Sequence, residues 1–319
     1  MRQHSLIKGF LFVGIFILFF ASLSLLDHAL RGDPVFLTNM RTFGGRDGVS
    51  LLFLGDSHAA FGVDETLLPR DWYNAAYPGD NLRDSFAKIR YAWEERHIKT
   101  IVISIDAYTF GTYRLADRNI CLSLPFLSSI GARAVYGFTV LTYPLQRLQC
   151  AVPLLRKVQR EKFMITLLAR VKDRILTGDA AQNETASPAL AEEKILRPGT
   201  DTLAGNIDKQ MAGSLDEPEL VAVMQNILAF AKEHGITMIG VRYPLSNQYL
   251  RDMQHYDLKS YEEAMQNLHF DAILDYQKLF AKKQELFKDI SHLNPEGAKV
   301  FTKRVVKDIS PLLSSALTR

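Results

Sequence analysis

The sequence predicts an α/β fold, a parallel sheet of about five strands covered by helices on both faces, behind one membrane-spanning helix. Three observations predict it. Short apolar runs such as Ser50–Leu54 and Thr100–Ile105 end at turns. Segments with apolar residues three and four apart alternate with those runs. Residues 9–26, GFLFVGIFILFFASLSLL, carry no charge at all.

At about 1.5 Å per residue, that uncharged run spans roughly 27 Å, close to a hydrocarbon core. It predicts a cytoplasmic tail at 1–8 and a signal anchor at 9–27. A cleaved secretory signal is the rival, although Ala21-Ser22-Leu23-Ser24 is a poor small-x-small site. No polar face interrupts the run, which argues against a core helix. Arg2 and Lys8 precede it, and Arg31, Arg41 and Arg46 follow. The positive-inside count therefore does not choose an orientation. The short tail predicts that the large domain is exported. In that compartment Cys121 and Cys150 can close one disulfide; two unrelated buried thiols are the alternative.

Residues 28–48, with Gly32-Asp33-Pro34 and Gly44-Gly45, read as a linker. The α/β domain then runs from 49 to 314. Strands are predicted at 50–54, 71–76, 100–105, 236–241 and 270–274. Asp80 is the expected cap of a helix reaching Arg96, with Leu82, Phe86, Ile89 and Trp93 on one side. Helices are also predicted at 219–233, stopped by Gly235, and at 295–313, opened by Pro295.

One connection is far longer than a crossover needs, and residues 107–217 read as a helical insertion. Its clearest element is 152–176, apolar at Leu155, Val158, Leu168, Val171 and Ile175. The other side is basic, with Arg156, Lys157, Arg160, Lys162, Arg170, Lys172 and Arg174. That face suits an anionic membrane or an acidic polymer, or is a solvated face of a packed helix. Residues 177–217 show no periodicity and read as a loop, with a sequon-like Asn183-Glu184-Thr185.

Composition excludes several function classes. A net charge of +3, from 38 basic and 35 acidic residues, gives no nucleic-acid signal. Two cysteines exclude a disulfide framework and a four-cysteine zinc module. There is no HExxH, CxxC, Walker A loop or GxSxG elbow, so no metal or cofactor is expected.

The chemistry concentrates at two places. Leu54-Gly55-Asp56-Ser57-His58 leaves the first strand at its carboxyl end, where open α/β sheets bind ligands. Asp289-Ile290-Ser291-His292-Leu293-Asn294 precedes the last helix. A serine hydroxyl needs a neighbouring base, and an imidazole serves best when a carboxylate holds its other nitrogen. Asp289 and His292 are spaced to face one way. A loop after the last strand can swing them over Ser57. As structural residues, Asp289 would be a helix-entry cap and His292 a surface turn residue.

These residues resemble the SGNH (GDSL-like) hydrolase superfamily, especially its membrane-anchored periplasmic branch related to exopolysaccharide O-acetylation proteins. Ser57 in GDSH matches the nucleophile block, and Asp289-x-x-His292 with Leu-Asn-Pro-Glu-Gly-Ala matches the closing block. The resemblance implies a flavodoxin-like three-layer sandwich and a metal-free Ser-His-Asp mechanism. It also implies an oxyanion hole from the amides of Ser57 and Gly79. The family's third block usually supplies an oxyanion asparagine, where this chain has Asp106. Asn81 or the Tyr108 hydroxyl are the candidate replacements. Asp106, Tyr108 and His58 are then expected around the substrate. Arg242, leaving the fourth strand, either meets an anionic substrate or forms a salt bridge beneath the rim.

The expected function is an anchored serine esterase or O-acyltransferase acting on acetyl esters of a cell-envelope or exported polysaccharide. Its expected location is the bacterial inner membrane, single-pass, with the C-terminal domain in the periplasm. Its expected partners are that polymer, the membrane and a polysaccharide synthesis or acetylation complex. The rival is a non-catalytic glycan-binding or assembly factor on the same fold.

Overall fold

Five short runs rich in aliphatic and aromatic residues become five parallel strands: β1 Leu51–Leu54, β2 Trp72–Asn74, β3 Thr100–Ser104, β4 Thr237–Arg242 and β5 Ala272–Asp275. In this computed structural model the described residues are 48–151 and 204–316, together with Ser22. The expected anchor and linker, except Ser22 and residue 48, the basic helix at 152–176 and the sequon at Asn183 lie outside them. Among the described residues no helix is long and apolar enough to cross a membrane.

The strand order is β2-β1-β3-β4-β5, consistent with SGNH-like folds. Leu51 pairs with Trp72 on one side and Thr100 on the other; Ser104 pairs with Val241, and Arg242 with Asp275. The helices are α1 Ser57–Gly62, α2 Leu82–Arg96, α3 Ser129–Tyr136, α4 Thr142–Ala151, α5 Ala204–Met211, α6 Pro218–Glu233, α7 Asn247–Met253, α8 Lys259–Asn267 and α9 Pro295–Ala316. The chain divides into two compact units, 38–136 with 186–319 and 1–37 with 137–185. The sheet belongs to the first. In the second, α4 is opened by reciprocal hydrogen bonds between Thr139 and Thr142.

Alternation along the strands sorts the core into two layers. Leu51, Phe53, Val102, Ile239 and Val241 pack with Ala59 and Ala60 of α1 and with Phe301, Val305 and Ile309 of α9. Leu52, Leu54, Ile101 and Ile103, all fully buried, point to the opposite face. There α2 and α6 pack together, α6 also reaching β4. Burial on both faces explains why these strands read as continuous apolar runs.

The start of α2 corrects one expectation. Its cap is Asn81, not Asp80: the Asn81 side chain accepts from the N–H groups of Arg83 and Asp84, and Asp84 reciprocates to Asn81 N–H. Asp80 instead lies buried in an ion pair with Lys88, whose ammonium also donates to the Ala75 carbonyl at 2.6 Å. Asp84 is fully buried and accepts from the hydroxyls of Ser123 (2.8 Å) and Tyr136 (3.0 Å). These bonds fasten residues 120–136, the first part of the insertion, to α2.

Burial, reinforced by the charge of Asp80, raises the Asp84 carboxyl to about 7 against the pull of its hydrogen bonds. Because the folded state holds this proton more tightly than the unfolded chain, stability falls as pH climbs from about 4 to 7. Comparing thermal unfolding of the native chain and Asp84→Asn should show a difference that moves in the variant's favour by several degrees between pH 5 and pH 8. A difference independent of pH contradicts the raised carboxyl.

Candidate active site

Parallel strands direct all their carboxyl ends to one edge of the sheet, and the site is built there. Gly55 follows β1 with φ +143°, a conformation side chains rarely adopt. A Cβ at this position would come within 2.7 Å of Ser104 Cβ and 3.1 Å of Ala59 Cβ. Only glycine therefore lets β1 turn directly into α1 against the end of β3. Asp56 then caps α1 by accepting from His58 N–H at 3.0 Å. Ser57 is the first helical residue and is half-buried, reachable from solvent.

Three buried donors hold the Asp56 carboxylate: His58 N–H, the Tyr108 hydroxyl at 3.2 Å, and the Arg114 guanidinium. The guanidinium also lies 4.9 Å from the Tyr108 ring centroid. Burial, with Arg118 nearby, pushes Arg114 down to about 9, so it remains a cation at neutral pH. Sequence reasoning missed both Asp56 and Arg114. The one available signal was a charged residue immediately behind a wholly apolar strand.

Asp289 and His292 arrive on a closed strap after β5. Phe287 and Leu293 form an antiparallel bridge, Lys288 N–H donates to the His292 carbonyl, and Asn294 N–H to the Leu286 carbonyl. Asn294 then caps α9 by accepting from Gly297 N–H at 2.9 Å, with Pro295 next in line. Within the strap Asp289 accepts from the backbone N–H groups of Ser291 (2.9 Å) and His292 (2.8 Å). Its other oxygen lies 2.9 Å from His292 Nδ1, and Ser291 Oγ lies 3.2 Å from the same nitrogen.

The two ends of the domain meet at 2.8 Å, the distance from His292 Nε2 to Ser57 Oγ. Since the Asp289 carboxylate calls for a proton on Nδ1, Nε2 presents its lone pair to the serine hydroxyl. Burial lowers the His292 pKa beyond the opposing pull of Asp289, and His58 and Lys288 push the same way. The imidazole is thus neutral at pH 7, the form that can take a proton. Asp289 is itself held well below the ordinary carboxylate range: burial opposes ionisation, but the imidazole and the two N–H groups prevail. Phe61 packs edge-on to the His292 ring at 5.5 Å, and the exposed Lys288 ammonium lies 3.5 Å from the Phe61 centroid.

Most of the remaining candidates are engaged in other contacts. Gly79 has φ +85° and is half-buried, and neither its N–H nor that of Ser57 has an acceptor among the described residues. Asn81 does not serve as a free amide donor, because its amide donates to Asp117 at 3.0 Å and to the carbonyls of Arg114 and Ala116. Tyr108 is 2% exposed with its hydroxyl on Asp56, so it does not face a substrate. Asp106 turns inward, its carboxylate meeting His58 Nδ1 (3.1 Å), Ser104 Oγ (3.2 Å) and Tyr243 N–H (3.0 Å). His58, 3% exposed, lies beneath the site rather than lining it. Arg242 takes the salt-bridge alternative, pairing with Glu262 (2.9 Å) and Asp275 (3.3 Å) over the Tyr261 ring.

Cys121 and Cys150, the chain's two cysteines, are both disulfide-bonded. Among the described residues no group of three or more His, Cys, Asp or Glu could hold a metal ion. A groove of about 470 Å³ along the free edge of β5, lined by Ile273, Asp275, Tyr276, Leu279, Arg304 and Asp308, contains neither Ser57, His292 nor Asp289. Compared with known proteins, the chain matches no family model and no curated protein sequence.

The arrangement can move a proton from a serine hydroxyl to an imidazole backed by a carboxylate. NMR titration of the His292 ring should give a midpoint below about 6.5, the ordinary imidazole value. Asp289→Asn should lower it further, because the carboxylate favours the protonated ring. A midpoint above 6.5 in the native chain contradicts this electrostatic account.

Proposed function

We propose that this chain is a serine-dependent ester hydrolase or O-acyltransferase working on acyl esters, acetyl above all, of a cell-envelope or exported polysaccharide. One observation carries the reading: Ser57 Oγ lies 2.8 Å from His292 Nε2, with Asp289 on the opposite nitrogen. Serine, base and orienting carboxylate in hydrogen-bond sequence are what acyl transfer through a covalent intermediate requires. The substrate class comes from the resemblance to exopolysaccharide O-acetylation proteins. A tethered enzyme suits a polymer made at the membrane, and the oxidised cysteines suit a periplasmic domain.

In this mechanism Ser57 attacks the ester carbonyl as its proton passes to His292. Asp289 balances the charge the ring gains. The N–H groups of Ser57 and Gly79 bind the tetrahedral oxyanion. His292 returns the proton to the leaving sugar hydroxyl, and water or another hydroxyl then attacks the acyl-enzyme through the same base. The hole has two backbone donors and lacks the usual asparagine, whose absence costs about 3–4 kcal/mol of transition-state stabilisation. That shortfall is the observation behind a second reading, a glycan-binding factor that no longer turns over.

A fluorophosphonate probe on the full-length protein separates the two. Catalysis predicts labelling that drops at least a thousandfold in Ser57→Ala and in His292→Ala. It also predicts a labelling rate that declines only as pH falls below about 6.5, where His292 gains its proton. A folded chain that takes no label favours the binding factor. In the host, Ser57→Ala should lower polysaccharide acetylation if the enzyme transfers acyl groups and raise it if the enzyme removes them. Unchanged acetyl content removes the polysaccharide from the proposal.

A further inference from the structure

Directly behind the catalytic imidazole stands a second imidazole–carboxylate pair to which the mechanism above gives no work. The His58 side chain is 1% exposed and that of Asp106 2%, and their contact at 3.1 Å lies beneath the site. Asp106 accepts from three directions: Ser104 at the end of β3, Tyr243 N–H just beyond β4, and His58 on α1. A carboxylate held in this way, with one oxygen against His58, calls for the His58 proton on Nδ1. Nε2 is then a bare lone pair, buried and without a partner among the described residues. A buried polar atom left unsatisfied is costly and calls for an explanation.

The rings supply one. His58 stands perpendicular to His292 with centroids 5.2 Å apart, and Tyr108 stands perpendicular to His58 at 5.0 Å. His292 is therefore bounded by Phe61 and His58, while Asp289 and Ser57 hold its two nitrogens. His58 is also the next residue after the nucleophile. One helical start thus aims the serine at His292 and sets the ring that braces it.

We propose that His58, clamped by Asp106, is a positioning residue for His292, holding that ring in line with Ser57. This inference rests on the serine reading above. It gives Asp106 a job: where the family pattern has an oxyanion donor, this chain has an inward-facing clamp. The charged and titratable groups around the pair are few. Tyr108 faces the His58 ring, and Asp56, paired with Arg114, accepts from the His58 backbone N–H; Asp289 and Lys288 flank His292 on its strap.

His58→Gln tests it, since a glutamine amide can still donate to Asp106 but adds no charge. In the full-length chain, with folding checked by thermal unfolding, the plateau rate of fluorophosphonate labelling should fall roughly tenfold. The acid limb of the profile, and the His292 midpoint read by NMR, should move up, because His58 is among the groups that disfavour a proton on that ring. A part that only filled space would change the melting temperature and leave limb and midpoint in place. If the native chain labels and His58→Gln labels at the same rate with the same limb, the inference is overturned while the serine reading stands. If the native chain takes no label, the serine reading fails, and an unmoved NMR midpoint then overturns the inference as well. Should His58→Gln not fold, Asp106→Glu, which lengthens the clamp and keeps its charge, is expected to lower the plateau; an unchanged rate overturns the proposal.

Discussion

Parallel pairing of β1 with β3, and of β3 with β4, is the constraint on which the site depends. It brings the ends of three central strands to one edge, and each end supplies a different part. β1 delivers Asp56, Ser57 and His58, β3 delivers Ser104 and Asp106, and β4 delivers the N–H of Tyr243. The turn after β2 adds Gly79 and the strap after β5 adds Asp289 and His292. Residues 235 positions apart therefore share a hydrogen bond without any long side chain reaching across. The close approach of β1 to β3 is what Gly55 permits and what any larger residue would pry apart.

Beneath the accessible serine lies an unusually charged interior. Asp56 with Arg114, Asp80 with Lys88, and Asp106 with His58 are all buried pairs. Such pairs add little net stability, because desolvation offsets their attraction, yet removing one partner costs about 3–5 kcal/mol. Their contribution here is geometric. Two of them join a strand-end loop to residues about fifty positions away and the third ties the loop after β2 to α2; between them they fix the cap of α1, the start of α2 and the ring behind His292. The rigidity around Ser57 and His292 is thus supplied by groups buried beneath them.

How much of this was legible in the sequence varies with the range of the interaction. Leu51–Leu54 and Thr100–Ser104 were plain because burial on both faces demands uninterrupted apolar runs. Ser57, Asp289 and His292 were legible through short motifs whose spacing is local. The meeting of Ser57 with His292 followed only from a topology that sends both loops to one edge. What failed was the assignment of long-range polar partners. Asn81 resembles an oxyanion donor by its place after Gly79, but Asn-x-x-Asp ahead of an apolar-striped segment is a capping signature, and the cap is what forms. Nothing local to Asp106 reveals that His58, 48 positions earlier, lies beneath it. The short helices at 247–253 and 259–267 passed unnoticed, being too brief for periodicity to stand out.

The strap from Phe287 to Asn294 carries a last consequence. Orienting acid and proton acceptor ride on one hairpin-like unit whose ends are stitched to each other before either group meets the serine. Gly297 seats it so tightly that an added methyl would come within 2.2 Å of the Leu286 carbonyl oxygen. The two groups thus behave as a cartridge: they are delivered together or not at all. A cut or insertion within those few residues should silence the centre in one step, with no graded intermediate, while the sheet behind it stays intact.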